Sequence, residues 1–501
     1  MVTGTEMAIR MDTEDFLTPE SDAALEMVLD ALERHDATAT FPLVAEKLRS
    51  WDKLGHRQLI GRLARHAVGY HSNTHSVHPT IAEELAPLGW PAAQAAFAAR
   101  EAAGFAEVEG AFGPLACWTQ PGGNWTAAAL AVVRTWRIPM EFSEAWNSYL
   151  DFSGRPCHYL GLLHWSPPVC APKPFLSALP GCLDEALALV DSALGRLPAD
   201  GPPLCVVAHP TELCTSAFWD VVNFGRGRMP QEGDWRPAPL RAATDVGAAA
   251  EALGRFVAEL RGMGLEFITA RDLAARFPDR ARNACLTGAQ IRPMAACVLE
   301  HASWAVCGSL ALSAAEALGV VCRALCVPDA AAIAVRACDG PSAPPPADSV
   351  AGPLTQSALV EAARWCDRFI DQRGQVPSAI PIGRSVAAPA DFLSAAARVL
   401  RDPEQTSVVI APRAVAAEVC VKPPARLHWD WPVFAEGFAP MELWLQARLQ
   451  AWTLKPALSE SAGTAGAASW SGEVRRGSAH PVPGRLHPPA PTTGRPTAPP
   501  A

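Results

Sequence analysis

The sequence predicts an α/β fold with parallel strands over residues 1–277. Two observations predict it. Short β-branched or apolar runs alternate with helical patterns from residue 8 to residue 277. The residues able to do chemistry stand where those runs end: acids after 8–11, His71 after 67–70 and His209 after 204–208. Parallel α/β folds gather their sites at that carboxyl edge. The chain, at 501 residues, is also too long for one ordinary domain, so further units are expected beyond the first.

Ala8-Ile9-Arg10-Met11 reads as a first strand that delivers the acid cluster Asp12-Thr13-Glu14-Asp15. Thr18-Pro19 opens a helix, with Thr18 as N-cap and Pro19 at its first position, and Leu25, Val28, Leu29 and Leu32 keep helical spacing. Residues 37–44 form a second strand and 46–66 one polar helix. Residues 67–70 form a third strand, ending on His71. An Ala-rich helix spans 90–105, a shorter one 126–136, and a strand begins at Ile138. Residues 141–181 read as a long loop rich in Trp and His. Leu204 to Ala208 is the clearest buried strand, 243–262 an amphipathic helix, and 265–269 with 270–277 the closing strand and helix.

After Pro278 the pattern changes. Residues 278–337 read as a helical segment in which Ser313-Ala314-Ala315-Glu316 is a capping box for a helix to about Cys326. Residues 338–353 read as a Pro-rich linker and 354–402 as a compact helical module. In that module Gly374 stops a helix, 380–386 form a hairpin, and Pro389 opens a second helix. Residues 403–455 read as a helical extension, and 456–501 as a disordered Pro-rich tail.

The composition excludes several classes. A net charge of −9 without a basic run argues against a nucleic-acid partner. No run of about 18 apolar residues exists, so no membrane span is expected. The 14 cysteines are scattered without a Cys-x-x-Cys pair, which predicts reduced thiols. The N-terminus has neither a basic nor an apolar leader region, which predicts a cytoplasmic protein; a truncated N-terminus would reopen secretion.

The stretch Gly69 to Thr80 carries three histidines, His71, His75 and His78. On a helical turn His71 and His75 would share a face and grip one ion. Such an ion needs a further ligand, usually a carboxylate, which the acid cluster supplies. His209, just past a buried strand, is a candidate general acid. Pro121-Gly122-Gly123 forms a tight loop that lets backbone approach a ligand, and Trp118 and Trp125 beside it could line a sugar site.

Taken together, residues 1–277 resemble the polysaccharide deacetylases, carbohydrate esterases built on a distorted (β/α)7 barrel. His71-Ser72-Asn73-Thr74-His75 matches that family's H-[ST]-x-x-H motif. The acid cluster occupies the place of its acidic pair, Pro121-Gly122-Gly123 that of its Arg-Pro-Pro-x-Gly loop, and Val207-Ala208-His209-Pro210 that of its final motif. The resemblance implies one divalent ion, zinc above all, an N-acetylated glycan as substrate, and hydrolysis of its amide. His71, His75 and one acid would hold the ion, a second acid would be the base, and His209 would protonate the leaving amine. An N–H of Gly122 or Gly123 would steady the oxyanion.

Two registers are open for the acids. In the first, which keeps two acids adjacent, Glu14 is the base and Asp15 the ligand; in the second, Asp12 is the base and Glu14 the ligand. The family's third-motif arginine, which orients the base, is missing: Thr119-Gln120 precede Pro121. Residues 354–402 resemble a pseudomurein-binding repeat, which implies a cell-wall polymer as a further partner. A barrel that binds glycan without turnover, and an amidohydrolase for a small non-sugar amide, are the competing readings.

Overall fold

The computed structural model describes residues 5–144, 148–167, 182–195, 203–299, 302–427 and 429–459. The first unit runs β1 (Glu6–Met11), α1 (Glu20–Arg34), β2 (Thr40–Leu43), α2 (Ala45–Leu54), α3 (Arg57–Leu63), β3 (Ala67–Tyr70), α4 (Ile81–Leu85), α5 (Trp90–Phe112) and α6 (Ala127–Thr135). It continues through β4 (Met140–Phe142), β5 (Cys157–Tyr159), β6 (Leu162–Trp165), α7 (Cys182–Leu194), β7 (Leu204–Ala208), α8 (Trp219–Phe224), α9 (Ala243–Gly262), β8 (Glu266–Ile268) and α10 (Ala270–Arg276). Strands β7-β1-β2-β3 pair in parallel, and β8 pairs in parallel with the first half of β1. Bridges from Tyr70 to Trp118 and from Trp118 to Glu141 carry the sheet on to β4, β6 and β5. The expected α/β class and parallel strands are therefore present. No pairing that would close the sheet into the expected barrel is seen among the described residues.

Local chemistry accounts for two departures from the expected elements. The helix expected over 46–66 is two helices, because Gly55 leaves α2 in the left-handed conformation (φ +75°). Thr18 does not cap α1; the Asp15 carboxylate instead accepts from the backbone N–H groups of Leu17 and Thr18.

The second unit has a regularity that the sequence reading missed. It consists of β9 (Cys285–Thr287), α11 (Gly288–Cys297), β10 (Ala305–Cys307), β11 (Leu310–Leu312), α12 (Ala314–Cys326) and β12 (Ala332–Ala334). The same series then recurs as β13 (Gly352–Thr355), α13 (Gln356–Arg373), β14 (Ile380–Ile382), β15 (Ser385–Ala387), α14 (Pro389–Arg401) and β16 (Ser407–Ile410). In each copy the outer strands pair with each other and the inner two form a hairpin. Both hairpins turn on a glycine at positive φ, Gly308 (+62°) and Gly383 (+59°). The first helix of each copy packs on the second helix of the other, α11 on α14 and α13 on α12. The module expected at 354–402 is thus the second of two copies, and the expected helical segment 278–337 contains the first. The expected linker is tied down in part: Asp339 pairs with Arg134 (2.7 Å), and the Gly340 N–H donates to the Gln450 side chain (2.7 Å).

The last described stretch returns to the first unit. After α15 (Met441–Leu449), the short strand β17 (Lys455–Pro456) pairs with β5 at the far edge of the main sheet. Ala417, Cys420, Val421, Phe434, Leu443, Ala447, Ala451 and Leu454 belong to the same apolar core as β1, β2 and β3. Residues 417–458 therefore complete the first unit, where an extension and a free tail were expected. The rest of the expected tail, 460–501, lies outside the described residues. The described cysteines are free thiols, and no described helix is long and apolar enough to cross a membrane.

Candidate active site

The extended chain of β1 sets the acids. The ladder continues past Met11, with the Asp12 N–H bonded to Ala208 and the Thr13 N–H to Pro42. Side chains on such a chain alternate, so Arg10, Asp12 and Glu14 fall on one side and Thr13 and Asp15 on the other. The geometry follows this period. Glu14 Oε2 lies 2.8 Å from His75 Nε2 and 3.4 Å from His71 Nε2. Asp15 is buried elsewhere: it caps the turn before α1 with one oxygen and accepts from Thr211 Oγ1 (2.8 Å) with the other. Glu14, and not Asp15, shares the space of the histidines.

His71 and His75 do not sit on a helical turn. They lie in a loop after β3 in which Ser72 (φ +75°) and His75 (φ +54°) take left-handed conformations. The loop is held by its own backbone: the carbonyls of Ser72 and Asn73 accept from Ala45 and Glu46, the first N–H groups of α2, and the Asn73 N–H donates to Glu101 (2.6 Å). His71 Nδ1 donates to the Thr119 carbonyl (2.9 Å). His75 Nδ1 donates to Ser76 Oγ (2.5 Å), which donates to Asp220 (2.9 Å). Both rings thus turn Nε2 toward Glu14, and Glu14 Oε1 is held by the Trp219 indole N–H (3.3 Å). Partners of this kind orient metal ligands and fix their tautomers. His78, the third histidine, pairs with Glu83 (2.6 Å) and is not part of the group.

This donor set fits the implied ion. Among the described residues, Glu14, His71 and His75 form a group whose ligand atoms lie within 4.8 Å of one another, all three buried. Two imidazoles and one carboxylate are a zinc-type set, whose donor atoms stand roughly 3.4 Å apart around a tetrahedral ion. His75 Nε2 is buried without a hydrogen bond of its own. Burial pushes the Glu14 carboxyl up, but the charges of His75 and His209 and contacts from His71 and His75 hold it well below the carboxylate range. Burial lowers His75, and Glu14 and Asp220 outweigh it and raise the imidazole. Asp220 is lifted to about 6, by burial first and by Glu14.

Asp12 and His209 flank the triad. His209 Nε2 is 3.9 Å from both Asp12 Oδ2 and Glu14 Oε2, and its side chain is 15% exposed where those two acids are 3–4% exposed. Asp12 Oδ1 is buried and has no hydrogen-bond partner among the described residues. Asp12 Oδ2 is held by Arg10 Nη2 (2.9 Å), and Arg10 also donates to the Phe142 carbonyl (2.9 Å) and approaches Glu144 (3.6 Å). Burial opposes the Arg10 charge, and Asp12 and Glu144 more than offset it. An arginine thus holds this acid, from β1.

No family model matches this sequence, and no curated protein matches it. Solved structures align to it at low scores. A putative polysaccharide deacetylase from Mycobacterium smegmatis aligns at 14% identity and a TM-score of 0.35, over 55% of this chain and 91% of that one. The peptidoglycan deacetylase PdaC of Bacillus subtilis, as a mutant, aligns at 14% and 0.29, over 55% and 92%. A CE4 family pseudoenzyme from Bacillus anthracis aligns at 13% and 0.29, over 55% and 66%. At such identities and scores the function must be read from the site's own residues.

The expected sugar-lining residues are mostly core. Trp118 and Trp125 are each 1% exposed. Trp118 packs on Tyr70 and Phe97, and Trp125 stacks on Tyr149. Pro121 and Gly123 are buried, while Gly122 is partly exposed. Sequence reasoning missed Arg10, Ser76, Asp220 and Trp219. Arg10 was detectable, two residues before Asp12 on a strand; Asp220 and Trp219 had no local signal.

Proposed function

We propose that the chain is a hydrolase of N-acyl amides, acting on an N-acetylated sugar and releasing acetate. The observation that carries the reading is the buried Glu14–His71–His75 group with Asp12 and His209 beside it. Glu14, His71 and His75 would hold a divalent ion of zinc type, which when bound supplies Lewis acidity toward an amide carbonyl and water. Asp12, with a free buried oxygen and its other oxygen fixed by Arg10, accepts the proton of the attacking water. His209 donates a proton to the departing nitrogen, from the partly exposed side where substrate enters. Trp219, Ser76 and Asp220 keep Glu14 and His75 in place. Acetate release from N-acetylated oligosaccharides, with and without a chelator, tests the reading: no chelator-sensitive release from any of them would end it.

A further inference from the structure

After the double repeat the chain returns to the mouth of the site. Residues 429–438 form a strap whose tip is Trp431. Its ring centroid is 6.0 Å from that of His75, edge to face. It also covers Gly122: a Cβ there would lie 2.0 Å from the indole, and one at Gly123 would lie 2.8 Å from Phe434. Gly122 is at φ +48°. The Pro-Gly-Gly loop thus admits the strap's two rings.

The strap is anchored along its length. Arg226 N donates to the Pro432 carbonyl (2.7 Å) and Gly227 N to that of Val433 (2.9 Å). Trp429 Nε1 donates to the Tyr149 hydroxyl (2.8 Å). A Cβ at Gly227 would lie 2.9 Å from that of Ala435, so this contact also requires glycine. Val433 is fully buried beside Trp219 and Phe224. Trp431 is partly exposed and sets its ring against His75 at the site.

The triad side chains are only 2–3% exposed. Partly exposed residues near them include Asn73, Thr74, Gly122, His209 and Trp431. A polymer bound through an interior residue needs room to continue on both sides of the reacting amide. Trp431 fills the His75–Gly122 side. A flat aromatic face is also suited to the apolar face of a single sugar ring.

We infer that the 429–438 strap, through Trp431, makes the site a blind pocket for a single N-acylated sugar or the terminal residue of a chain, and that it excludes the interior of a polymer. The inference rests on the hydrolase reading for its chemistry but is tested by binding. Calorimetry on zinc-loaded, full-length protein would compare N-acetylglucosamine with a long soluble N-acetylated polymer, per sugar residue, for wild type, Trp431→Ala, Trp431→Leu and Trp431→Phe. Wild type is expected to bind the single sugar at least tenfold better per residue. Trp431→Ala and Trp431→Leu should each shrink that ratio severalfold, and Trp431→Phe should largely keep it. Equal binding of both ligands by wild type, an unchanged ratio in the folded Ala or Leu variant, or no binding of either ligand overturns the inference. Binding in the expected ratio without acetate release would leave the strap's role standing and remove the hydrolase reading alone.

Discussion

Arg10 and Asp12 face the same side of β1, with Arg10 Nη2 2.9 Å from Asp12 Oδ2 and each side chain 4% exposed. Removing one partner of a buried ion pair costs about 3–5 kcal/mol, because the other charge is left without compensation. Arg10→Met should therefore unfold at clearly lower denaturant. Arg10→Lys keeps the charge but loses the fork that also reaches Phe142, so it should fold and bind zinc while kcat falls about tenfold at unchanged KM. Wild-type kcat in Arg10→Lys would show that the fork does not position Asp12.

The three acids should separate cleanly by metal content. Glu14→Gln should lose the ion. Asp12→Asn should keep it and lose about 10²–10⁴ in rate, the usual worth of a general base. Asp15→Asn should keep both ion and rate but lose about 1–2 kcal/mol of stability, as a buried cap with partners at Leu17, Thr18 and Thr211. Zinc measured by atomic emission on each purified variant decides it; loss of the ion in Asp15→Asn alone would restore the other register.

Cutting the chain after Pro278 should abolish folding of the first unit. Such a cut removes β17 from the sheet edge and strips Phe434, Leu443, Ala447 and Leu454 from the main apolar core. The truncated protein should be insoluble or unfold without cooperativity. A soluble fragment with a sharp unfolding transition and full zinc content would show that residues 417–458 are dispensable.

His158 should make stability fall in mild acid. It is buried on β5, and burial lowers its pKa to about 4, with Asp279 opposing. In the unfolded chain the ring titrates near its ordinary value of about 6.5, so between those values the unfolded state binds the extra proton. Stability is then greatest above about pH 6.5 and is lost as pH drops toward 4, by an amount on the order of 1–3 kcal/mol. Urea unfolding at pH 7.5 and pH 5 should show this drop in wild type and a smaller one in His158→Gln. Equal drops would assign the acid sensitivity to other groups.

The sequence by itself determined the α/β alternation and the strand ends that bear His71 and His209, because both are written in local periodicity. It also held the choice between the acids: Arg10, Asp12 and Glu14 are spaced by two on an extended chain, so they had to share a side. Adjacent residues such as Glu14 and Asp15 point apart on an extended chain, so adjacency in sequence does not bring two acids to one site. The duplication in the second unit was present as well, in Leu286-Thr287 against Leu354-Thr355 and Gly308 against Gly383, but the two copies share too few residues to stand out. Only the tertiary structure decided that Trp118 and Trp125 are core, that Asp220 and Trp219 brace the triad, and that residues 417–458 rejoin the first unit. It alone also put Trp431 over Gly122. These contacts join segments far apart in the chain, and no local period records which distant side chain will fill the space above a glycine.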